Sequence, residues 1–558
     1  MGIACERCLG VTMITNITQA TVHRSGHIGV ETTSGTRVDA NLILEGVSIA
    51  APAPQYTSTE VAVEGYKFNP LTIVGARHTT GSIEGNLDYN TTTYLLASAM
   101  NYSAPTLIAG SSAAYRWAFS PNPAGKDTFK TFTAQWGDDY YSDYCSGIGI
   151  TEFKIEAAAS DSAVAVSGSW IGKQLIRDKL FYVNVSGASG GTFKIGIEVT
   201  ATTAPIAFDA LAATVEAELN SLINIGTDGI LVSGSAGGPY TVTFDGTGLA
   251  KTNVASLVAS HVNLTGGSSP SITITTTTPG TGIADEVQLV TINGTPTGGT
   301  FRLQFTHSYQ TAGIAYNASA ATIQTALLTT IPLDTGDVVC DGGAANTLPV
   351  SLLFGGRYSD LYSGREEYSH APTVTVDGAS LTGAGAAIAV SRIYPTITTR
   401  GMKPVTVEQV NVYFADRQSE LDNSDLFGSL YNFAAGVSDV RGPEWTISRD
   451  RGSYNQLIDL KPGAEVTLQV GVGAAADLLP YLEQGKRVFV LIDALSNENI
   501  EAGFPYSLKM YLCISLGSQS AVEDSDGLAT ITLTGVIARD ATWGKGIEVI
   551  IDNALSAL

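Results

Sequence analysis

Short runs of alternating apolar and polar residues dominate this chain, and such alternation marks half-buried strands. ITEFKIEA (150–157) puts Phe153 and Ile155 on one face. After the polar turn AASDS, Val164, Val166 and Trp170 alternate on a return strand, so the pattern predicts a hairpin. SLKMYLCISL (507–516) places Leu508, Met510, Leu512, Ile514 and Leu516 on one face, and ATITLTGVI (529–537) returns after AVEDSDG. VEQVNVYFAD (407–416), AEVTLQVG (464–471) and VFVLIDA (488–494) read as further strands, and residues 44–66 as two extended runs around a Pro-containing bend. Helical signals are few. LDYNTTTYLLASAM (87–100) predicts a helix capped by Asn90, with Tyr94, Leu95 and Ala99 as its apolar stripe. AAADLLPYLEQGK (474–486) predicts another, with Asp477 as cap, Pro480 in the first turn and Gly485 at the end.

The middle of the chain carries a duplication. GTFKIGIEVT starts at Gly191 and GTFRLQFTHS at Gly299, an offset of 108 residues. The same offset aligns PIAFDALAATVEAEL (205–219) with GIAYNASAATIQTAL (313–327), and PYTVTF (239–244) matches LPVSLLF (348–354) after a small insertion. Each copy reads as strand, helix, strand, strand. Asp209 and Asn317 are the expected N-caps. Val215 with Leu219, and Ile323 with Leu327, form i, i+4 apolar pairs. The period exceeds that of solenoids, which predicts two small α+β domains rather than stacked repeats.

With 558 residues the chain exceeds one domain of ordinary size. The segments flanking the duplication share an order of strands, one helix and a closing hairpin. The expected division is therefore 1–180, a first β domain; 181–281 and 282–398, the two inserted copies; and 399–558, a second β domain related to the first. Composition agrees with a mainly β fold: Gly numbers 60, and charged residues are only 15%. The net charge of −22 argues against binding nucleic acid by phosphate neutralisation and predicts repulsion of DNA. No run of about 18 uncharged apolar residues predicts a membrane span. The first twenty residues lack the basic-then-apolar order of a secretory signal. Cys5, Cys8, Cys145, Cys340 and Cys513 are odd in number and widely spaced, which predicts free thiols in a reducing cytoplasm rather than a disulfide framework.

Candidate chemistry is sparse. Cys5-Glu6-Arg7-Cys8 with His23 and His27 offers four zinc-ligand types, but a Gly-containing stretch gives them no helix to align on, and free thiols are the expectation. His78, His261, His307 and His370 belong to no hydrolase or metalloprotease motif. The carboxylates Asp138, Asp139 and Asp143, Asp422 and Asp425, and Glu523, Asp524 and Asp526 lack the spacing of a calcium loop and read as solvated loops. Paired glycosidase carboxylates need only separation in space, so an enzyme with accessory β domains is one rival reading. No catalytic residue, cofactor site or metal site is assigned.

TTGSIEGNLDYNTTTYLLASAM (79–100) followed by ITEFKIEAAASDSAVAVSGSWIGKQL (150–175) resembles the tail tube proteins of siphovirus-type phages. The similarity spans most of 40–175 and, more faintly, 400–550. The duplicated units resemble Ig-like repeat domains of phage structural and bacterial surface proteins. The resemblance implies two tail-tube-like β-sandwich or barrel domains, each with a flanking helix, and two inserted repeat domains pointing away from an open lumen. It implies a virion protein, made in the host cytoplasm, without enzymatic activity or cofactor. Its partners would be copies of itself, three per pseudo-hexameric ring, the rings stacking into a tube. Tape measure, terminator and distal tail proteins would be its neighbours, and genomic DNA would pass without specific binding. Weak contact of the inserted domains with host glycans is a further expectation. Outward insertions also argue sterically against a surrounding contractile sheath. The main alternative is another surface structural role, such as a decoration, baseplate or adhesin subunit.

Overall fold

The computed structural model describes residues 25–558 apart from 51, 62–70, 138–141, 178–179, 223, 227–228, 247–248, 252–253, 281–285, 294–297, 331–332, 356–372, 447–452 and 526. The protein is mainly β, with helices α1 (Thr91–Ala99), α2 (Ala212–Asn220), α3 (Ala320–Thr330) and α4 (Val472–Glu483) among the described residues. Contacts divide it into two compact units. One combines the chain before residue 138 with Asp143–Leu175 and Thr398–Leu558; the other is built on Ile176–Ile397.

In the first unit the main described strands before the insertion are β1 (Ser25–Val30), β2 (Val47–Ile49), β3 (Ala53–Val61), β4 (Leu71–Asn86), β5 (Tyr115–Phe119), β6 (Phe132–Gly137), β7 (Ser142–Ala158) and β8 (Ala165–Gly172). After it come β9 (Val410–Ala415), β10 (Leu430–Ser438), β11 (Gly463–Gly471), β12 (Arg487–Glu501), β13 (Phe504–Gln519), β14 (Glu523–Ser525), β15 (Leu528–Ile537) and β16 (Ile547–Asn553). The two halves repeat one pairing scheme, antiparallel throughout. β1 pairs β6 as β9 pairs β12. β2 and β3 pair β4 as β10 pairs β11. β4 pairs β8 as β11 pairs β15. β7 pairs β8 as β13 pairs β15, which are the two closing hairpins the alternation predicts. In each half a helix follows the strand that leads to it, β4 before α1 and β11 before α4.

The helix ends differ from the sequence reading in instructive ways. Asp88, rather than Asn90, caps α1: its Oδ1 accepts the N–H groups of Asn90 at 2.8 Å and Thr91 at 2.9 Å. A carboxylate is the better acceptor against the positive end of a helix. Asn90 instead donates Nδ2 to the carbonyls of Arg400 and Gly401, at 3.2 and 2.9 Å. The expected stripe on α1 is also too narrow, since all nine of its residues are buried. α4 starts at Val472, straight from β11, so Asp477 and Pro480 sit inside the helix rather than at its start. Its end follows the prediction. Gly485 takes φ +62°, its N–H donates to Leu482 O, and Lys486 N–H donates to Tyr481 O, closing a Schellman turn.

The second unit holds both copies of the duplication on one core. Strands Gly190–Thr202 and Gly298–Gln310 pair antiparallel with each other, from Gly196 opposite Gln310 to Thr202 opposite Gln304. The short strand of each copy then pairs with the long strand of the other: Ile206 with Phe301, and Ile314 with Phe193. The copies therefore exchange strands about a pseudo-twofold axis. Val215, Leu219, Ile323 and Leu327 are each fully buried, as the helix pattern predicts. Asp209 and Asn317 precede the helices rather than capping them. α2 follows Leu211 with no side-chain cap, and Ser319 Oγ accepts the Thr322 N–H near the start of α3.

Candidate assembly surfaces

Among the described residues, those singled out for chemistry form no single site. Cys5, Cys8, His23, Asp138, Asp139, His370 and Asp526 lie outside the described residues. His27 lies in β1, only 2% exposed, and burial lowers its pKa. His78 meets the edge of Trp445 at 5.8 Å, and His261 is exposed. Asp143 is buried, whereas Asp425 and Glu523 are exposed. Asp524 Oδ1 accepts the Gly527 N–H, a turn contact. Among the described residues no group of three or more His, Cys, Asp or Glu is placed to hold a metal.

Asp422 does join a cluster. Lys509 and Tyr511 of β13 both donate to its Oδ1, at 3.2 and 3.0 Å. Lys509 also lies 3.6 Å from Asp493 of β12. Beside them Arg116 of β5 makes a two-pronged bond to Asp552 of β16, both contacts 2.8 Å, and Ser507 donates to the same carboxylate. These groups line a cavity of about 400 Å³. Asp422 and Asp552 are each engaged by a cation and a hydroxyl. Burial raises the Asp493 pKa, and burial with the neighbouring Asp422 raises that of Tyr511. The arrangement is a satisfied ionic network on a sheet face. It offers no free carboxylate pair for acid–base work.

The contacts that bind the two halves of the first unit are more extensive. β7 pairs antiparallel with β10, from Phe153 opposite Val437 to Ala158 opposite Asn432. β5 pairs with β16, from Phe119 opposite Val549 to Tyr115 opposite Asn553. Beneath both seams runs one apolar core, in which Phe153, Ile155 and Trp117 share a cluster with Phe433, Leu468 and Ile551. Asn553 closes the second seam. Its Nδ2 donates to Tyr89 O and Thr93 Oγ1 at 2.9 Å, while its Oδ1 accepts Trp117 Nε1 at 3.1 Å.

Two buried charges that pattern reading misses tie loops to this frame. Glu31, 3% exposed, accepts four donors: the N–H groups of Gly35 at 2.6 Å and Gly147 at 2.7 Å, and the hydroxyls of Thr131 at 2.7 Å and Thr133 at 2.9 Å. A carboxylate so surrounded is repaid for its lost hydration. Arg441, also 3% exposed, bonds Asp459, lies 3.4 Å from Asp127, and stacks over Phe129 with 4.2 Å to the ring centre. The only sequence hint is the Thr131–Thr133 alternation; Arg441 has none.

Two strand edges are left open among the described residues. Among the described residues the registers of β2 and β3 are with β4 alone, although Trp136 Nε1 donates to Ile49 O. Among the described residues β13 pairs β12 as far as Ser515 opposite Arg487, and β14 pairs β15 alone. Gly517, Ser518, Gln519, Ala521, Val522 and Glu523 are exposed.

No family model matches the chain. It is similar to the tail sheath protein of Mycobacterium phage Bxz1, at 29% identity over 144 residues, which cover 24% of this chain and 23% of that protein. The chain thus matches under a quarter of that relative's length.

Proposed function

We propose that this chain is a structural, non-enzymatic protein of a phage tail, and that it polymerises into stacked rings forming a tail tube. The similarity to a tail sheath protein supports the broader reading, a tail structural protein within the virion. One observation carries the finer reading: a repeated pairing scheme joined by the β7–β10 seam into a sheet that continues from half to half. A sheet built from repeated modules joined edge to edge can extend through further copies, and closure into a ring removes its exposed edges. In this reading three chains supply six modules per ring. The acidic chain, at −22, lets DNA pass without sticking. Tape measure, terminator and distal tail proteins are the proposed neighbours. The inserted unit lies outside the lumen, where weak glycan contact is open to an array test.

A second reading is favoured by the comparison itself: a sheath or other outer tail component. Electron microscopy of the purified protein at rising concentration separates the two. Hollow tubes with threefold or pseudo-sixfold end views, formed by this chain alone, support the tube. Assembly only around an added tube favours the sheath. Compact monomers at every concentration refute both.

A further inference from the structure

The internal seam can be compared with the edges left open, starting from the last residues of the two strands that lead to the helices, Asn86 of β4 and Gly471 of β11. Where β4 leads towards α1, Asn86 faces Ala165 of β8, and Ala165 faces Glu156 of β7. Where β11 leads into α4, Gly471 faces Thr530 of β15, and Thr530 faces Glu523 of β14. Glu523 is therefore the counterpart of Glu156. On the other side, Ala434 of β10 faces Thr467, four residues before Gly471. Ser82, four residues before Asn86, accepts the N–H of Ala50 at 3.0 Å. Ala50 is therefore the counterpart of Ala434.

Ala434 faces Glu156 in the internal seam. Their counterparts, Ala50 and Glu523, carry the same two residue types, and no pairing among the described residues joins them. Each chain has used one edge of each kind and keeps one of each. A contact of this heterologous type leaves complementary edges at the two ends, and those edges can be satisfied only by another copy.

We infer that the β2–β3 edge of one chain pairs antiparallel with the segment 518–524 of the next, with Ala50 opposite Glu523. The occupant of each open edge is thus a second copy of this chain. The inference rests on the self-assembly reading and names its interface. Pro52 and Pro54 provide no N–H, so this seam has fewer donors than the internal one. Proline on an edge strand restrains premature pairing, which suits a protein that must stay soluble until assembly begins.

Paired cysteines in the full chain test the register. In a background with Cys5→Ser and Cys8→Ser, Ala50→Cys is combined with Glu523→Cys, and mild oxidation follows assembly. The expected result is a ladder of covalent multimers in the assembled fraction and none in dilute monomer. Ala50→Cys with Leu528→Cys, whose second site is also exposed, should give at most a tenth of that yield. An Ala434→Cys/Glu156→Cys chain should close its disulfide within the monomer. Tubes that form without the Ala50–Glu523 ladder overturn the interface while leaving the assembly reading intact. A protein that remains monomeric at every concentration overturns both.

Discussion

Val199 of the first repeat copy lies opposite His307 of the second, and the two positions are separated by the 108-residue offset of the duplication itself. Equivalent residues facing each other define a pseudo-twofold axis through the strand pair. The pairs on either side follow from it: Ile206 with Phe301 mirrors Ile314 with Phe193. Neither copy completes its sheet from its own chain. The isolated second unit, Ile176–Ile397, cut once by a protease site inserted between Thr278 and Glu286, is therefore expected to stay together. Its two pieces should co-elute in native size exclusion and part only in denaturant. Separation under native conditions would show that each copy folds by itself.

Arg441 offers a sharper energetic test. Its guanidinium is buried against Asp127 and Asp459, whose side chains are 7% and 20% exposed. Replacing it by Met leaves two acids near one another without their cation. Breaking a buried pair from one side costs about 3–5 kcal/mol. Arg441→Met should lower stability in urea by that order, and adding Asp127→Asn should restore part of it. Arg441→Lys should recover less than half, because an ammonium cannot reach both acids and stack on Phe129 as a planar group does.

The pH response has a definite sign at His27. Burial holds its pKa below the ordinary histidine value, and its Nδ1 has no hydrogen-bond partner among the described residues. Above about pH 6.5 both folded and unfolded forms carry it neutral. As pH falls below that, the unfolded chain takes up a proton that the folded chain resists. Stability is therefore present above the unfolded pKa and lost on acidification towards the folded one. Asp88, Asp127 and Asp493, whose pKa values burial raises, act in the opposite direction. The prediction is thus a difference: His27→Met should reduce the loss of melting temperature between pH 7 and pH 5 relative to the parent. An unchanged slope would remove His27 from the account.

Where the signal is local and repeated, the sequence is legible. The apolar pairs Val215/Leu219 and Ile323/Leu327 appear twice at one offset and are buried in both helices. The closing hairpins follow from alternation, and Gly485 from its place after a helical run. What stays hidden is partner choice. Alignment at an offset finds two copies but cannot say that their strands cross over. The β7–β10 seam runs through Ala434, Ala435 and Gly436, small residues with no pattern strong enough to name a neighbour. Asp88 won the α1 cap over Asn90 through a turn that starts two residues earlier. Glu31 and Arg441 are single charges, and a single charge reads as solvated surface until its four donors or two acids are seen.

The shared core yields the last prediction. Phe153 sits 2% exposed on β7, opposite Val437 of β10, and belongs to one apolar cluster with residues from both halves. Truncation to alanine removes most of a buried ring and leaves a cavity bordered by both halves, at a cost of about 3–5 kcal/mol. If the seam makes the halves one cooperative structure, that loss must be felt on both sides of the insertion. Native-state hydrogen exchange read by mass spectrometry can separate the two. In Phe153→Ala, amides of β8 before the insertion and of β15 after it should lose protection by the same factor. Loss confined to peptides before residue 175 would show two independent folding units that merely touch, and the continuous sheet would then no longer support the proposed tube.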